Sequence, residues 1–288
     1  MISERPCRSI PAERSSSTGR YTAVWMAITC LGCGGATGDP AAHSGNRPVR
    51  LYVAAGQSNM VGFGAFAEAR HRVPHPLIRY RYRSHTGPSL GPLQTTPRFF
   101  KHGSIRQGIL AFHDRGVGPW WAFAQELAKH RTDAEIRILV VAVNGSSLMD
   151  WCRDGGLLDQ TIEFIRDEMS RGATLEGVIW HQGEAWVGSG DGNYGEMLEQ
   201  LIHKLRSETD AVDLPFVAAT LPDASPKAVE VNAALDRLAA SLPAFAVVDG
   251  RRGTMSDAVH LDTAASVSLG IAMAEAMMRL SPPDADTR

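Results

Sequence analysis

Five short apolar runs, kept apart by amphipathic segments of helical spacing, constrain this chain more than anything else in it. Residues 51–55, 136–143, 175–180, 216–220 and 245–248 have the length and content of buried strands. Between and after them, Trp120, Phe123, Ala124, Leu127 and Ala128 follow Pro119 at the spacing of one helix face, and residues 157–169, 194–205, 227–240 and 263–280 read as helices. Strands separated by helices are not hairpin partners; they run parallel and bury both faces. The expected fold is therefore α/β, a three-layer α/β/α sandwich around a five-stranded, mainly parallel sheet. No internal repeat, low-complexity block or second domain interrupts this pattern.

At 288 residues, 44% apolar and 21% charged, the chain has enough material for one sizeable domain or two small ones. A net charge of -2 gives no global reason to bind nucleic acid or an anionic membrane surface, and nucleic acid is set aside as a partner. Cys7, Cys30, Cys33 and Cys152 form no paired blocks, which argues against a zinc ribbon or a disulfide scaffold. Arg5, Arg8, Arg14 and Arg20 precede an apolar run over residues 21–32 that is too short to span a bilayer and fits the core of an export signal. Cys33-Gly-Gly, with Leu31-Gly32 before it, resembles a bacterial lipoprotein cleavage site, although Cys30 stands where Leu is usual. The alternative, a buried element of the domain, conflicts with the Arg-rich and Gly-rich flanks. We therefore expect an export signal over 1–33, a linker over 34–48, one domain over 49–281 and a tail over 282–288. The expected location is outside the cytoplasm: periplasmic, cell-surface or secreted, with the membrane touched only through a lipid on Cys33.

Residues 64–118 carry many breakers, among them Pro74, Pro76, Pro88, Pro92 and Pro97, and read as a long irregular insertion. From Arg70 to Arg115 there are eight Arg and one Lys against a single acid, Asp114. Those charges suit either a substrate with carboxylates or a solvated loop facing acidic neighbours. Pro74 between His71 and His75 argues against a helical metal pair, so no metal site is read.

In a parallel sheet every strand's C-terminal edge opens on the same side, which is where ligands bind. Four segments follow strands there. Gly56-Gln57-Ser58-Asn59-Met60 is a tight turn presenting a hydroxyl, and Gly56 permits the abrupt change of direction. Asn144-Gly145-Ser146-Ser147 follows the second run, and His181-Gln182-Gly183-Glu184 the third. Asp257 and His260, three apart, share one face of a turn, where the acid can fix one imidazole nitrogen while the other faces Ser58. Each motif has a plainer use: Ser and Asn cap helices and make turns, and Asp257 also suits an N-cap before residues 263–280.

The α/β-hydrolase elbow needs Gly-x-Ser-x-Gly, and Met60 occupies the place of the second Gly. Gly-Gln-Ser-Asn-Met at 56–60, Trp-His-Gln-Gly-Glu at 180–184 and Asp-x-x-His at 257–260 together resemble the SGNH hydrolase superfamily with its flavodoxin-like fold. Within it they resemble the sialate O-acetylesterase-like carbohydrate esterases, which include the family 6 acetylxylan esterases. The resemblance implies Ser58 as nucleophile, His260 as general base and Asp257 as the acid orienting it. It implies an oxyanion hole of the Ser58 and Gly145 backbone N–H groups and the Gln182 side-chain amide. It also implies no metal or cofactor, and an acetylated carbohydrate as substrate. Relatives commonly read Gly-Gly-Thr where this chain reads Asn144-Gly145-Ser146; Asn tolerates the left-handed backbone for which a Gly is used there. His181 is read as packing beside the site. Glu184 is either a second carboxylate for acid–base work or, as we expect, a group that accepts N–H donors and holds a loop. Trp151, Trp180 and Trp186 suit either stacking on a sugar face or a place in core or wall, and Trp186 is the best placed of them to contact substrate; Gln57 and Asn59 are further candidates near substrate, Asn59 also for fixing the turn. Two rival functions stay open: a carbohydrate-binding protein on an inactive esterase fold, and an esterase for bulkier feruloyl or lipid acyl groups.

Overall fold

The computed structural model describes residues 47–65, 75–84, 87–91, 116–186, 193–225 and 227–281. The expected export signal with Cys33, nearly all of the expected linker, the expected tail and much of the Arg-rich stretch lie outside the described residues. In chain order the elements begin with β1 (Val49–Gly56), α1 (Ser58–Val61), β2 (Gly64–Ala65), β3 (Ile78–Ser84), β4 (Gly87–Gly91), β5 (Gly116–Val117) and α2 (Pro119–His130). They continue with β6 (Glu135–Ala142), α3 (Leu148–Cys152), α4 (Leu157–Ser170), β7 (Ala173–His181), α5 (Tyr194–Glu208), β8 (Phe216–Ala219), α6 (Ala228–Ser241), β9 (Phe245–Val248) and α7 (Thr263–Leu280).

The five expected strands stand side by side and parallel, in the order β6-β1-β7-β8-β9. Their sheet is wider than five, however: β3 adds in parallel beside β6, and β4 closes that edge antiparallel. Both extra strands fall in the stretch expected to be irregular. Ile78-Arg79-Tyr80-Arg81 does alternate with the period of a strand, but its arginines hide the signal. Tyr80 packs edge-on to Trp120 of α2, with ring centroids 4.9 Å apart, on one face of the sheet. Arg81 is buried on the opposite face, where it pairs with Asp167 at 2.7 Å and with Glu168, both on α4. Arg137 of β6 joins the same cluster, reaching Glu168 at 2.9 Å and Glu135 at 2.5 Å. A guanidinium can sit inside a sheet layer when helix carboxylates neutralise it there. Arg81 is thus neither a solvated loop residue nor a substrate contact, and Arg79 donates to the backbone carbonyls of His75, Pro76 and Ile78.

β1 lies at the centre because Leu51 to Ala55 bury both faces. Tyr52 meets Phe123 of α2, and α2 with α7 covers that face, while α4, α5 and α6 cover the other. Burying each such large apolar side chain is worth about 1.5–3 kcal/mol. The register brings Gly56 level with Ala142 of β6 and His181 of β7, so the turns after these three strands leave from one line. A second two-stranded pairing, β2 with β5, joins the segment after α1 to the entry of α2.

Candidate active site

The Ser58 turn is locked to the sheet by backbone contacts. Gly56 has φ +144, and a Cβ there would lie 2.0 Å from the His181 carbonyl oxygen, so no side chain fits. The Gln57 N–H donates to that carbonyl at 3.1 Å, and Ser58, 5% exposed, then opens α1, where its own N–H has no partner inside the helix. The Gln57 side-chain oxygen accepts from the Ala185 N–H at 3.1 Å and from the Gln182 amide at 3.3 Å. The Val143 N–H donates to the Gly56 carbonyl at 3.1 Å, which ties in the loop after β6. In that loop the Ser146 hydroxyl donates to Val143 O at 2.8 Å and accepts from the Trp151 indole at 3.2 Å. The Gln182 amide also donates to Ser146 O at 3.2 Å, so three turns interlock.

The His260 loop is built differently. An isolated bridge between Met255 and Leu261 closes it, and the Ser256 N–H donates to His260 O at 2.8 Å. Asp257 Oδ2 lies 2.8 Å from His260 Nδ1, while its Oδ1 accepts the Val259 and His260 N–H groups, each at 2.8 Å. The bond to His260 first, then the two backbone donors, hold the Asp257 carboxyl at about 2, well below the ordinary carboxylate range. The carboxylate is nonetheless 55% exposed and the imidazole 20%. Asp257 does not cap α7; Asp262 does, accepting the Ala265 N–H at 2.8 Å.

Asn59 joins the two halves. Its side-chain oxygen accepts the Leu261 N–H at 2.8 Å, and its amide donates to Val259 O at 3.1 Å and to the Glu184 carboxylate. The residue after Ser58 therefore grips the backbone on both sides of His260. Glu184 lies 3.5 Å from His181 Nε2. Burial pushes the His181 imidazole pKa down, with Glu184 opposing, so it is held toward the neutral form. A cavity of about 400 Å³ between the ends of β8 and β9 and α7 is lined by His181, Thr220, Asp249, Arg252 and Leu261, among others. Ser58, Asp257 and His260 are not among the residues that line it. Among the described residues no three His, Cys, Asp or Glu side chains gather as a metal site.

With this geometry in place, the comparison with protein families is decisive: residues 48–279 match the family described as carbohydrate esterase, sialic acid-specific acetylesterase. The chain belongs to this family. An Arabidopsis thaliana protein described as a probable carbohydrate esterase is similar, at 25% identity over 244 residues, 80% of this chain and 91% of that one. The X-ray structure of an Arabidopsis thaliana protein superposes with a TM-score of 0.67 at 24% identity, covering 81% of this chain and 98% of the other. The structure of NanS superposes with a TM-score of 0.65 at 17% identity, covering 81% and 97%. These two structural likenesses show the fold.

Within this acetylesterase family member several sequence expectations need correction. Trp186 is buried against Tyr194, with ring centroids 5.6 Å apart, and its indole donates to Glu230 at 2.6 Å; its ring is wall, with no face open to a sugar. Asn59 is buried with both of its polar side-chain atoms engaged inside the protein, so it braces the site, and Gln57 is buried with its side-chain oxygen accepting from Gln182 and Ala185. The left-handed backbone of this loop, which Asn144 would have tolerated, falls on Gly145, at φ +68. Gln182 stands beside the Ser58 turn, but both hydrogens of its amide are engaged, with Gln57 and Ser146. Phe63, which the sequence did not single out, stacks on His260 with ring centroids 3.9 Å apart and planes 4° from parallel. An aromatic between two glycines carries no periodic signal that would have marked it.

Proposed function

We propose that this chain is a serine esterase that removes acetyl groups from hydroxyls of a carbohydrate through an acyl-enzyme intermediate. The observation that carries the reading is the tie between the two loops: Asp257 fixes His260 Nδ1 at 2.8 Å, and Asn59, next to Ser58, bonds the backbone on both sides of that imidazole. With Nδ1 held by a carboxylate, Nε2 is the nitrogen that takes the Ser58 proton as the hydroxyl oxygen attacks the ester carbonyl. The imidazolium then protonates the departing sugar oxygen. Water, deprotonated by the same nitrogen, releases acetate and regenerates Ser58. The Ser58 N–H at the start of α1 and the Gly145 N–H are the donors for the oxyanion. Gln182 joins them by exchanging one of its two long internal bonds, at 3.2 and 3.3 Å, for the charged oxygen. The family description and the Arabidopsis relative's name support acetylated carbohydrate as the substrate class.

The test is hydrolysis of p-nitrophenyl acetate, acetylated xylan and O-acetyl sialic acid by the wild type and by Ser58→Ala. We expect turnover that falls by about 10⁴ or more in the variant, which keeps its fold. No turnover of any of the three by the wild type would refute the acetylesterase reading in favour of a bulkier acyl group or of carbohydrate binding alone.

A further inference from the structure

The Asp257 bond fixes one atom of the His260 ring and leaves the ring plane free to rock about the Nδ1···Oδ2 line. That bond also stands in solvent, where water competes for the carboxylate, and Ser256 to Val259 are exposed. The described contact that defines the plane comes from across the site, from Phe63. The mount of Phe63 is rigid on both sides. Gly62, at φ +106, is packed so tightly that a Cβ would lie 2.4 Å from the Gly118 nitrogen. Gly64 pairs with Val117 in the β2–β5 ladder, and the Trp120 indole donates to Val61 O at 3.1 Å. Two neutral rings prefer an offset or edge-on arrangement. The near-parallel stack seen here suits an offset pair of neutral rings, and it also lays the imidazole over the phenyl face, where a cation is attracted.

Resting on the reading of His260 as the general base, we propose that Phe63 is a positioning residue for it. The phenyl ring holds the imidazole plane so that Nε2 stays aimed at Ser58, and its face stabilises the imidazolium formed when that proton is transferred. Among the described residues the charged group in contact with the imidazole is Asp257; Glu184 reaches it only through Asn59. Because the stack acts on the base and does not bind substrate, its loss lowers kcat and leaves KM in place.

The experiment combines proton–carbon NMR of the imidazole groups with kinetics on p-nitrophenyl acetate, using the wild type, Phe63→Leu and Phe63→Tyr, with the His260 signal assigned through His260→Gln. In the wild type the His260 ring protons should resonate upfield under the phenyl ring current and return downfield in Phe63→Leu. In the same variant kcat should fall roughly two- to tenfold at constant KM, and Phe63→Tyr should restore both readouts. Wild-type His260 protons without an upfield shift would overturn the proposal, whatever the variants do. So would a Phe63→Leu effect confined to KM, or Phe63→Tyr as slow as Phe63→Leu. A wild type inactive on every ester refutes the esterase reading alone, because the NMR result still decides whether Phe63 clamps the ring.

Discussion

The two halves of the site are made to different standards. Around Ser58, the side chains of Gln57, Asn59 and Gln182 are buried and hydrogen-bonded across three strand ends, whereas Asp257 and His260 ride on a loop whose carboxylate is 55% exposed. The chemistry accounts for the difference. On the proposed mechanism, stabilising an oxyanion takes donors that are already aimed and shielded from water, which backbone set by the sheet is suited to supply. Passing a proton takes only a base within reach and an orienting partner, which a surface loop supplies if something moors it. Asn59 and Phe63 are those moorings, and both extend from the rigid half.

An attack on the rigid half should have the largest effect. Gly56→Ala would place a methyl 2.0 Å from the His181 carbonyl oxygen, at a backbone angle of φ +144 that side chains rarely adopt, between two central strands. Strain and overpacking together should remove about 3–6 kcal/mol, a large part of a typical domain's stability. Urea denaturation, or failure to recover soluble protein, would show it. A variant of wild-type stability would mean that the strand end adapts, and the contrast between the halves would fail.

The sheet was legible because its central strands are apolar runs punctuated by breakers, and α7 matches the expected helix over residues 263–280. The placement of the motifs followed from parallelism alone: if the strands run the same way, their trailing turns share an edge. Less was visible wherever a tertiary partner decides the outcome. The arginines of β3 read as loop because the carboxylates that neutralise Arg81 lie some 86 residues away on α4. The short helix α3 carries a local signal, since Ser147 and Asp150 form a capping box, but the sequence reading assigned no element there. Trp186 looked like a sugar platform for want of knowing that Tyr194 and Glu230 enclose it. The joining role of Asn59 depends on backbone groups 200 and 202 residues distant, and no local pattern encodes that.

Cutting the link itself should come next in size. Asn59→Ala removes the donor to Val259 O and to Glu184 and the acceptor for the Leu261 N–H. A buried carboxylate and a buried N–H are left without these partners, which should cost about 2–4 kcal/mol. If the moored loop is what aims His260, kcat on p-nitrophenyl acetate should fall by about 10² with KM little changed. Loss of stability with full kcat would show that the loop keeps its shape through its own bridge and hydrogen bonds, and that the nucleophile side does not aim the base.

The smallest effect isolates the exposed half. Asp257 is held at about 2 in the folded protein by His260 and two backbone N–H groups, against about 3.9 for a free aspartate. A depressed folded value means that the carboxylate's contribution to stability is complete above about pH 4 and disappears as pH falls through about 2. Solvent screening of a carboxylate this exposed keeps that contribution small. Chemical denaturation between pH 5 and about 2 should therefore show the wild type losing slightly more stability than Asp257→Asn, the other acids acting alike in both. Superimposable curves would mean that the carboxylate is not held in solution, and His260 would then depend on Phe63 and Asn59 for its orientation.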